Sequence, residues 1–183
     1  MRGEAAAAKI HVVQGEQFVT DDPGIVLSTL LGSCVSACMR DPVAAVGGMN
    51  HFLLPGGVAS AADGVAQRHA VHAMELLVNE LLKRGARRER LEAKLFGGAR
   101  LIDGLTDIGS KNADFAERFL AAEGIRLVGG SLRGEQGRKL QYWPVSGRAR
   151  QSLMERENRQ VFDAERRSRP VAVPAGEGAV ELF

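Results

Sequence analysis

The segment that most constrains this chain is Ser28–Pro55, STLLGSCVSACMRDPVAAVGGMNHFLLP. Two apolar arms flank Asp41-Pro42, where the chain turns, since Pro presets φ. Such arms bury their apolar faces best as an antiparallel hairpin. A four-residue loop from Asp41 to Ala44 suits a type I turn with Pro at its second position. A hairpin centred between Pro42 and Val43 sets Cys34 directly opposite His51. Opposed residues carry Cβ atoms roughly 4.5–5.5 Å apart, about the reach of a thiol–imidazole hydrogen bond. The local chain alone can therefore bring a nucleophile to its base.

Cys34 follows Gly32-Ser33, and a tight turn there leaves the backbone N–H groups of Ser33 and Cys34 near the sulfur, where they can hold an oxyanion. A lone cysteine is more often a small core hydrophobe, and a histidine bordered by Phe52, Leu53 and Leu54 is more often a satisfied core residue. The pairing is what changes both readings, since imidazole beside a thiol favours thiolate. A third group should hold the ring. Ser28 and Thr29, on the strand entering the turn, supply hydroxyls. Asn50 points to the opposite face from His51 and is the weaker candidate. Cys38 lies deeper in the run with no histidine opposite, so core packing is its expected role. On a strand the two thiols share a face about 13 Å apart at ~3.3 Å per residue, too far for a disulfide or a shared metal with His51. His69 and His72 stand three apart on a helix without a carboxylate or cysteine at ligand spacing, and read as surface residues. No metal and no cofactor is expected.

Composition narrows the classes. The chain has 183 residues, 45% hydrophobic and 25% charged, enough for one domain with a real core. A formal charge of +2 and 5% aromatic residues give no footing for nucleic acid. No apolar run approaches the ~18–20 residues of a membrane span, and MRGEAAAAKIHVV has no apolar core of a secretory signal. Two reduced thiols without an export signal imply a cytoplasmic protein.

Along the chain, residues 1–9 read as a frayed leader. Short strands are expected at Ile10–Val13 and Phe18-Val19, then a turn at Asp21-Asp22-Pro23-Gly24 and a buried strand Ile25–Leu31. The hairpin arms cover 34–40 and 45–53. From Val65 to Arg84 apolar residues recur at helical spacing, with Asp63 as cap and Gly85 as stop. A strand at Leu91–Phe96 precedes a second helix, Ala113–Glu123, capped by Asn112. Strands at Ile125–Val128 and Lys139–Trp143 flank a Gly-rich turn region at 129–137. After residue 150 the composition changes. Seven arginines between 148 and 169 interleave with Glu155, Glu157, Asp163 and Glu165, the mark of a solvated, mixed-charge tail. The domain therefore spans 10–150 and the tail 151–183.

These residues together resemble the CheD family, the chemoreceptor glutamine deamidases of bacterial chemotaxis. The family pattern, L-G-S-C, then D-P, then G-G-M-N-H-F-x-L-P, is matched by Leu31–Cys34, Asp41-Pro42 and Gly47–Pro55. Further matches are Ala73–Leu77, Glu92-Ala93-Lys94 leading to Phe96–Ala99, Ile108-Gly109 with Asn112, Glu123–Ile125, and Gly137–Lys139 with Pro144 and Gly147. The resemblance places the nucleophile on Cys34 and the catalytic histidine on His51. Its third position, six residues before the cysteine, is usually threonine and here is Ser28. Serine keeps the hydroxyl but loses the β-branch that fixes the rotamer. Thr29 is the neighbouring substitute, turned by strand alternation to the other face. The chain also departs from the family at Ser131–Gly134, usually an acidic residue with Gly-Gly.

The resemblance implies an α/β fold, a layered β-sandwich-like core flanked by helices, shared with certain toxin deamidases. It implies hydrolysis of receptor glutamine side chains to glutamate through a thioester, and of glutamyl methyl esters by the same acyl chemistry. The expected partners are the cytoplasmic helices of methyl-accepting chemoreceptors and, in some members, a CheC-like phosphatase, with no nucleic acid and no insertion into the membrane. Two other readings are a docking module without turnover and a thiol-based redox or metal protein. The intact Cys34–His51 pair opposes the first, and the lack of a C-x-x-C motif opposes the second.

Overall fold

The computed structural model describes residues 8–54, 62–101 and 107–154. Nine strands and two helices follow in the order β1 (Ala8–His11), β2 (Gln17–Thr20), β3 (Ile25–Leu31), β4 (Val35–Asp41), β5 (Val46–Asn50), α1 (Ala62–Lys83), β6 (Glu92–Gly97), α2 (Ile108–Ala122), β7 (Arg126–Leu132), β8 (Arg138–Trp143) and β9 (Arg148–Leu153). The strands form two sheets, ordered β1-β3-β8-β9 and β2-β5-β4-β6-β7. Leu27, Leu31, Leu140 and Tyr142 of the first sheet pack on Cys38, Met49 and Phe96 of the second, with Val12 and Cys34 at the edge of the same cluster. The other face of the second sheet, through Val35, Ala37, Met39 and Leu95, packs against α1 and α2. The α/β fold is thus a two-sheet sandwich with helices outside it, as expected, and both helices lie on one sheet.

Alternation decides which side chain enters which layer. In β4 the odd residues Val35, Ala37 and Met39 face the helices, while Cys34 and Cys38 face the first sheet. In α1, Ala70, Met74, Leu77, Val78 and Leu81 are buried at three- and four-residue steps, the stripe that the sequence displays. Each fully buried Leu or Met contributes about 1.5–3 kcal/mol relative to exposure.

Several boundaries differ from expectation. Ala8 and Lys9 belong to β1, not to a leader. Helix α1 begins at Ala62, so Asp63 falls inside its first turn rather than ahead of it. Helix α2 begins at Ile108, a turn before the expected start. Asp107 caps it by accepting from Ser110 N–H at 2.9 Å, which leaves Asn112 in the interior of the helix. Strand β7 runs through Gly129-Gly130 to Leu132, because parallel pairing with β6 overrides the low strand preference of glycine. Strand β9 pairs with β8 through Leu153, so the last strand crosses the expected domain edge at 150. The rest of the tail, beyond residue 154, lies outside the described residues.

The hairpin register also differs. Asp41 pairs with Val46 and Cys38 with Met49, which centres the hairpin between Val43 and Ala44, and its four-residue turn is Pro42–Ala45. The reason is Asp41. Its Oδ1 accepts from Val43 and Ala44 N–H at 2.9 and 3.0 Å, capping a turn that starts after it rather than with it. A bridge between Val35 and Phe52 continues the same register. Cys34 and His51 are therefore diagonal neighbours on one face, not directly opposed.

Candidate active site

The site forms where the chain changes sheets. The turn Gly32–Cys34 carries it from β3 in the first sheet to β4 in the second, and residues 12–16 carry it from β1 to β2. Both crossings meet the end of β5 at His51. There the hairpin ladder opens. Asn50 Oδ1 accepts from Ala37 N–H at 2.9 Å in place of a backbone carbonyl, and its Nδ2 donates to Ala73 O on α1 at 3.2 Å. His51 instead pairs its backbone with the first crossing, donating to Glu16 O at 3.0 Å and accepting from Gly15 N–H at 2.8 Å. Asn50 thus faces away from the site, as alternation requires, and shapes it through the backbone.

The His51 ring is 1% exposed. Its Nδ1 lies 2.9 Å from Thr29 Oγ1 and 3.4 Å from Val12 O. Thr29 gives its own hydroxyl proton to Val12 O at 2.7 Å, so toward the ring its oxygen can only accept. The carbonyl can only accept as well. Nδ1 therefore carries the hydrogen and Nε2 is the bare base. Nε2 is buried and has no hydrogen-bond partner among the described residues. Burial holds the imidazole pKa down to about 4, with the Val12 carbonyl opposing and the His11 charge adding to the depression. At neutral pH the ring is an uncharged base.

The hydroxyl expected from Ser28 is elsewhere. Ser28 Oγ lies 3.4 Å from Ile10 O and 3.5 Å from His11 Nδ1, on the outer face of β3. Thr29 shares the intersheet side with Leu27 and Leu31. Alternation does separate Ser28 from Thr29. What it cannot tell is which of the two faces His51, because β3 and β5 belong to different sheets and a count along the chain does not carry across the crossing.

Cys34 is 8% exposed, and its thiol donates to Gln14 Oε1 at 3.6 Å. Its turn is held by three carbonyls. Gly32 O accepts from Ala99 N–H, Ser33 O from Asn112 Nδ2 and Cys34 O from Gly98 N–H, each at 2.8 Å. In a trans peptide the N–H points opposite to the carbonyl before it. The Ser33 N–H is thereby aimed away from Ala99, and the Cys34 N–H away from Asn112. The Val35 N–H obeys the same geometry and reaches Phe52 O at 3.0 Å. Gly97, at φ +108, is obligatory here, since a Cβ on it would stand 2.1 Å from Cys34 O.

Asn112 is the functional residue whose role the sequence reading missed. It is fully buried, donates to Ser33 O, and accepts from Leu54 N–H at 2.8 Å. One side chain on α2 thus ties the cysteine turn to the strand end that carries His51. The polar residue's place on the apolar side of α2 was the available signal, hidden once it was taken for a cap. The Ser131–Gly134 departure has a local explanation. Buried Arg138 donates to the Ser131 and Arg133 carbonyls, while the Arg133 side chain pairs with Asp114 and Glu117 of α2. Cys38 is fully enclosed, its thiol pushed up to about 12 by burial against the pull of Ser36 and Lys94, and it is a core residue. His69 and His72 are exposed on α1.

A family model described as CheD chemotactic sensory transduction matches residues 53–152. The relatives extend the match over the segment holding Cys34 and His51. A protein of Acidiphilium cryptum is 62% identical, over 97% of this chain and 94% of its own length. The chain belongs to the CheD family. A Sinorhizobium medicae member is 57% identical over the full length of both chains, and a Caulobacter vibrioides member 55% identical over 97% of this chain and 94% of its own. All three bear the name probable chemoreceptor glutamine deamidase CheD. Among solved structures, a Neisseria meningitidis protein overlays with a TM-score of 0.45 at 9% identity, over 69% of this chain and 64% of that one. A likeness at that distance says nothing of this chain's chemistry. Among the described residues no helix is long and apolar enough to cross a membrane.

Proposed function

We propose that this chain is a cysteine-dependent deamidase that converts glutamine side chains of chemoreceptors to glutamate, acting in the cytoplasm on the receptor's exposed helices. The observation that carries the reading is the His51 ring, with Nδ1–H held by Thr29 and a bare Nε2, in a hairpin register that sets Cys34 and His51 on one face. The names of its close relatives agree.

At rest the imidazole is neutral, because burial disfavours imidazolium. As the Cys34 sulfur attacks the carboxamide carbon, its proton passes to His51 Nε2. The S–C bond forms, and the carbonyl oxygen takes the negative charge beside the Ser33 and Cys34 N–H groups. Collapse breaks the C–N bond, and ammonia leaves with the proton from Nε2. Water then attacks the thioester as Nε2 accepts its proton. The S–C bond breaks as Nε2 returns that proton to the sulfur, which restores the thiol and releases glutamate. A glutamyl methyl ester enters the same sequence with methanol leaving. Each turnover adds one carboxylate to the receptor helix, a charge change that biases a two-state signalling element.

The test is ammonia release with a mass gain of about one dalton on a purified receptor cytoplasmic fragment, wild type against Cys34→Ala. A gain at glutamine that vanishes in the variant supports the reading. No gain on the receptors of the same cell, with tight binding retained, refutes it in favour of a docking protein.

A further inference from the structure

Gln14 plays no part in the sequence above, yet its carboxamide is the group that meets the nucleophile. The side chain is exposed, and its Oε1 accepts from the Cys34 thiol at 3.6 Å. Its place is not that of a loose surface residue. Val13–Glu16 is a turn closed by Glu16 N–H to Val13 O at 3.0 Å, and Glu16 Oε2 accepts from Val13 N–H at 3.2 Å. Gly15, at φ +89, supplies the left-handed third residue that a type II turn requires. The turn is fastened to the catalytic strand on both sides of one residue, by Gly15 N–H to His51 O and His51 N–H to Glu16 O. Gln14 is therefore held in the frame of the imidazole, an exposed residue against a cysteine that is itself 8% exposed.

We propose that Gln14 positions the substrate and selects amides. Its Oε1 accepts an N–H of the incoming glutamine NH2, which turns the amide carbon toward the Cys34 sulfur. The proposal deepens the deamidase reading and rests on it. In the resting site the thiol proton satisfies that oxygen. When a primary amide enters, its N–H replaces the thiol proton on that oxygen and leaves the thiol proton to pass to His51 Nε2 as the sulfur attacks. A methyl ester has no hydrogen to offer. The glutamate product presents only oxygens to Oε1, so the same contact that favours the substrate disfavours the product.

Gln14→Met keeps the length and removes the acceptor at an exposed position, so the fold is expected to survive, which a melting curve checks directly. On a receptor fragment, kcat/KM for glutamine falls about tenfold, the worth of one hydrogen bond near a charge, while the rate on the methyl ester changes less than about threefold. A second arm needs no turnover. Cys34 is alkylated with iodoacetamide, which carries a primary amide, and with methyl iodoacetate, which does not, each rate being normalised to glutathione. Cys38 is enclosed and stays silent. Wild type prefers the amide reagent, and Gln14→Met loses that preference. Equal preference in the two proteins overturns the role of Gln14 even if deamidation is robust. A preference that depends on Gln14 in a protein without hydrolytic activity overturns the deamidase reading and leaves the amide site standing.

Discussion

The two ends of the β4–β5 hairpin are built on opposite principles. At the turn end every polar atom of Asp41 is used. The carboxylate is fully buried, its Oδ1 accepts from Val43 and Ala44, and its Oδ2 accepts from Arg87 N–H at 2.9 Å and pairs with Arg90 at 2.7 Å. Burial would raise its pKa, but the Arg90 bond and the backbone donors of Ala44, Arg87 and Val43 outweigh it and bring it to about 2. At the other end the ladder opens, Asn50 substitutes for a backbone partner, and His51 keeps a buried, unpartnered Nε2. The closed end fixes register and stability. The open end leaves an unmet hydrogen-bonding valence where a reacting proton can sit, and the closed end supplies the rigidity that holds it in place.

The sharpest break of this comparison exchanges one kind of loss for the other. Cys34→Ala should lower deamidation by at least about a thousandfold while the urea midpoint shifts less than in Cys38→Ala, since Cys34 is 8% exposed where Cys38 is 1%. Cys38→Ala, four residues along the same face, should do the reverse, with activity within a few-fold and stability lower by roughly 1–2 kcal/mol from the cavity. If both variants behaved alike, the two ends would not be functionally distinct. Asp41→Ala should cost about 2–4 kcal/mol, since it leaves the N–H groups of Val43, Ala44 and Arg87 and the half-buried Arg90 guanidinium without their buried acceptor. Equilibrium denaturation measures it, and a loss below about 1 kcal/mol would mean that the turn end does not set the register.

The next comparison separates two neighbouring hydroxyls. Thr29→Val preserves shape but takes away the acceptor on Nδ1–H, so the ring can adopt the wrong tautomer or turn. A fall of about ten- to a hundredfold in kcat with little change in KM is expected. Ser28→Ala should stay within about threefold, because its hydroxyl faces Ile10 and His11. Receptor-fragment kinetics decide between them, and a larger effect at Ser28 would return the supporting role to the position that the family pattern indicates.

Much of this was legible before any coordinates. Residues that bury a stripe, as in α1, or form a continuous apolar run closed by a turn, as in β3, announce themselves in the sequence. The Cys34–His51 proximity is legible because it is local, and it survives a one-residue error in the hairpin centre because diagonal neighbours share a face. The contacts that cross between sheets were not legible. Whether Ser28 or Thr29 meets His51 depends on how one sheet lies on the other, and no alternation along the chain encodes that. Asn112 stands before an apolar helical stretch, as a cap would, yet Asp107 caps the helix and lets it begin a turn earlier. Its actual work, joining Ser33 O to Leu54 N–H, rests on three segments far apart in sequence.

The smallest expected effect, and the most discriminating for the open end, is in the pH dependence of stability. His51 titrates near 6.5 in the unfolded chain and near 4 in the folded one, so between those values the unfolded state binds more protons. Stability therefore falls as pH drops through that window, by roughly 1–2 kcal/mol between pH 7 and pH 5. Asp41 acts in a separate range, because its folded pKa near 2 makes its contribution fade only as pH falls below about 4. The open end thus loosens first on acidification and the closed end last. In His51→Gln the slope between pH 7 and 5 should flatten while the loss below pH 4 persists. A slope unchanged by that substitution would place the acid sensitivity elsewhere and remove the thermodynamic signature of a buried, neutral imidazole with a bare Nε2.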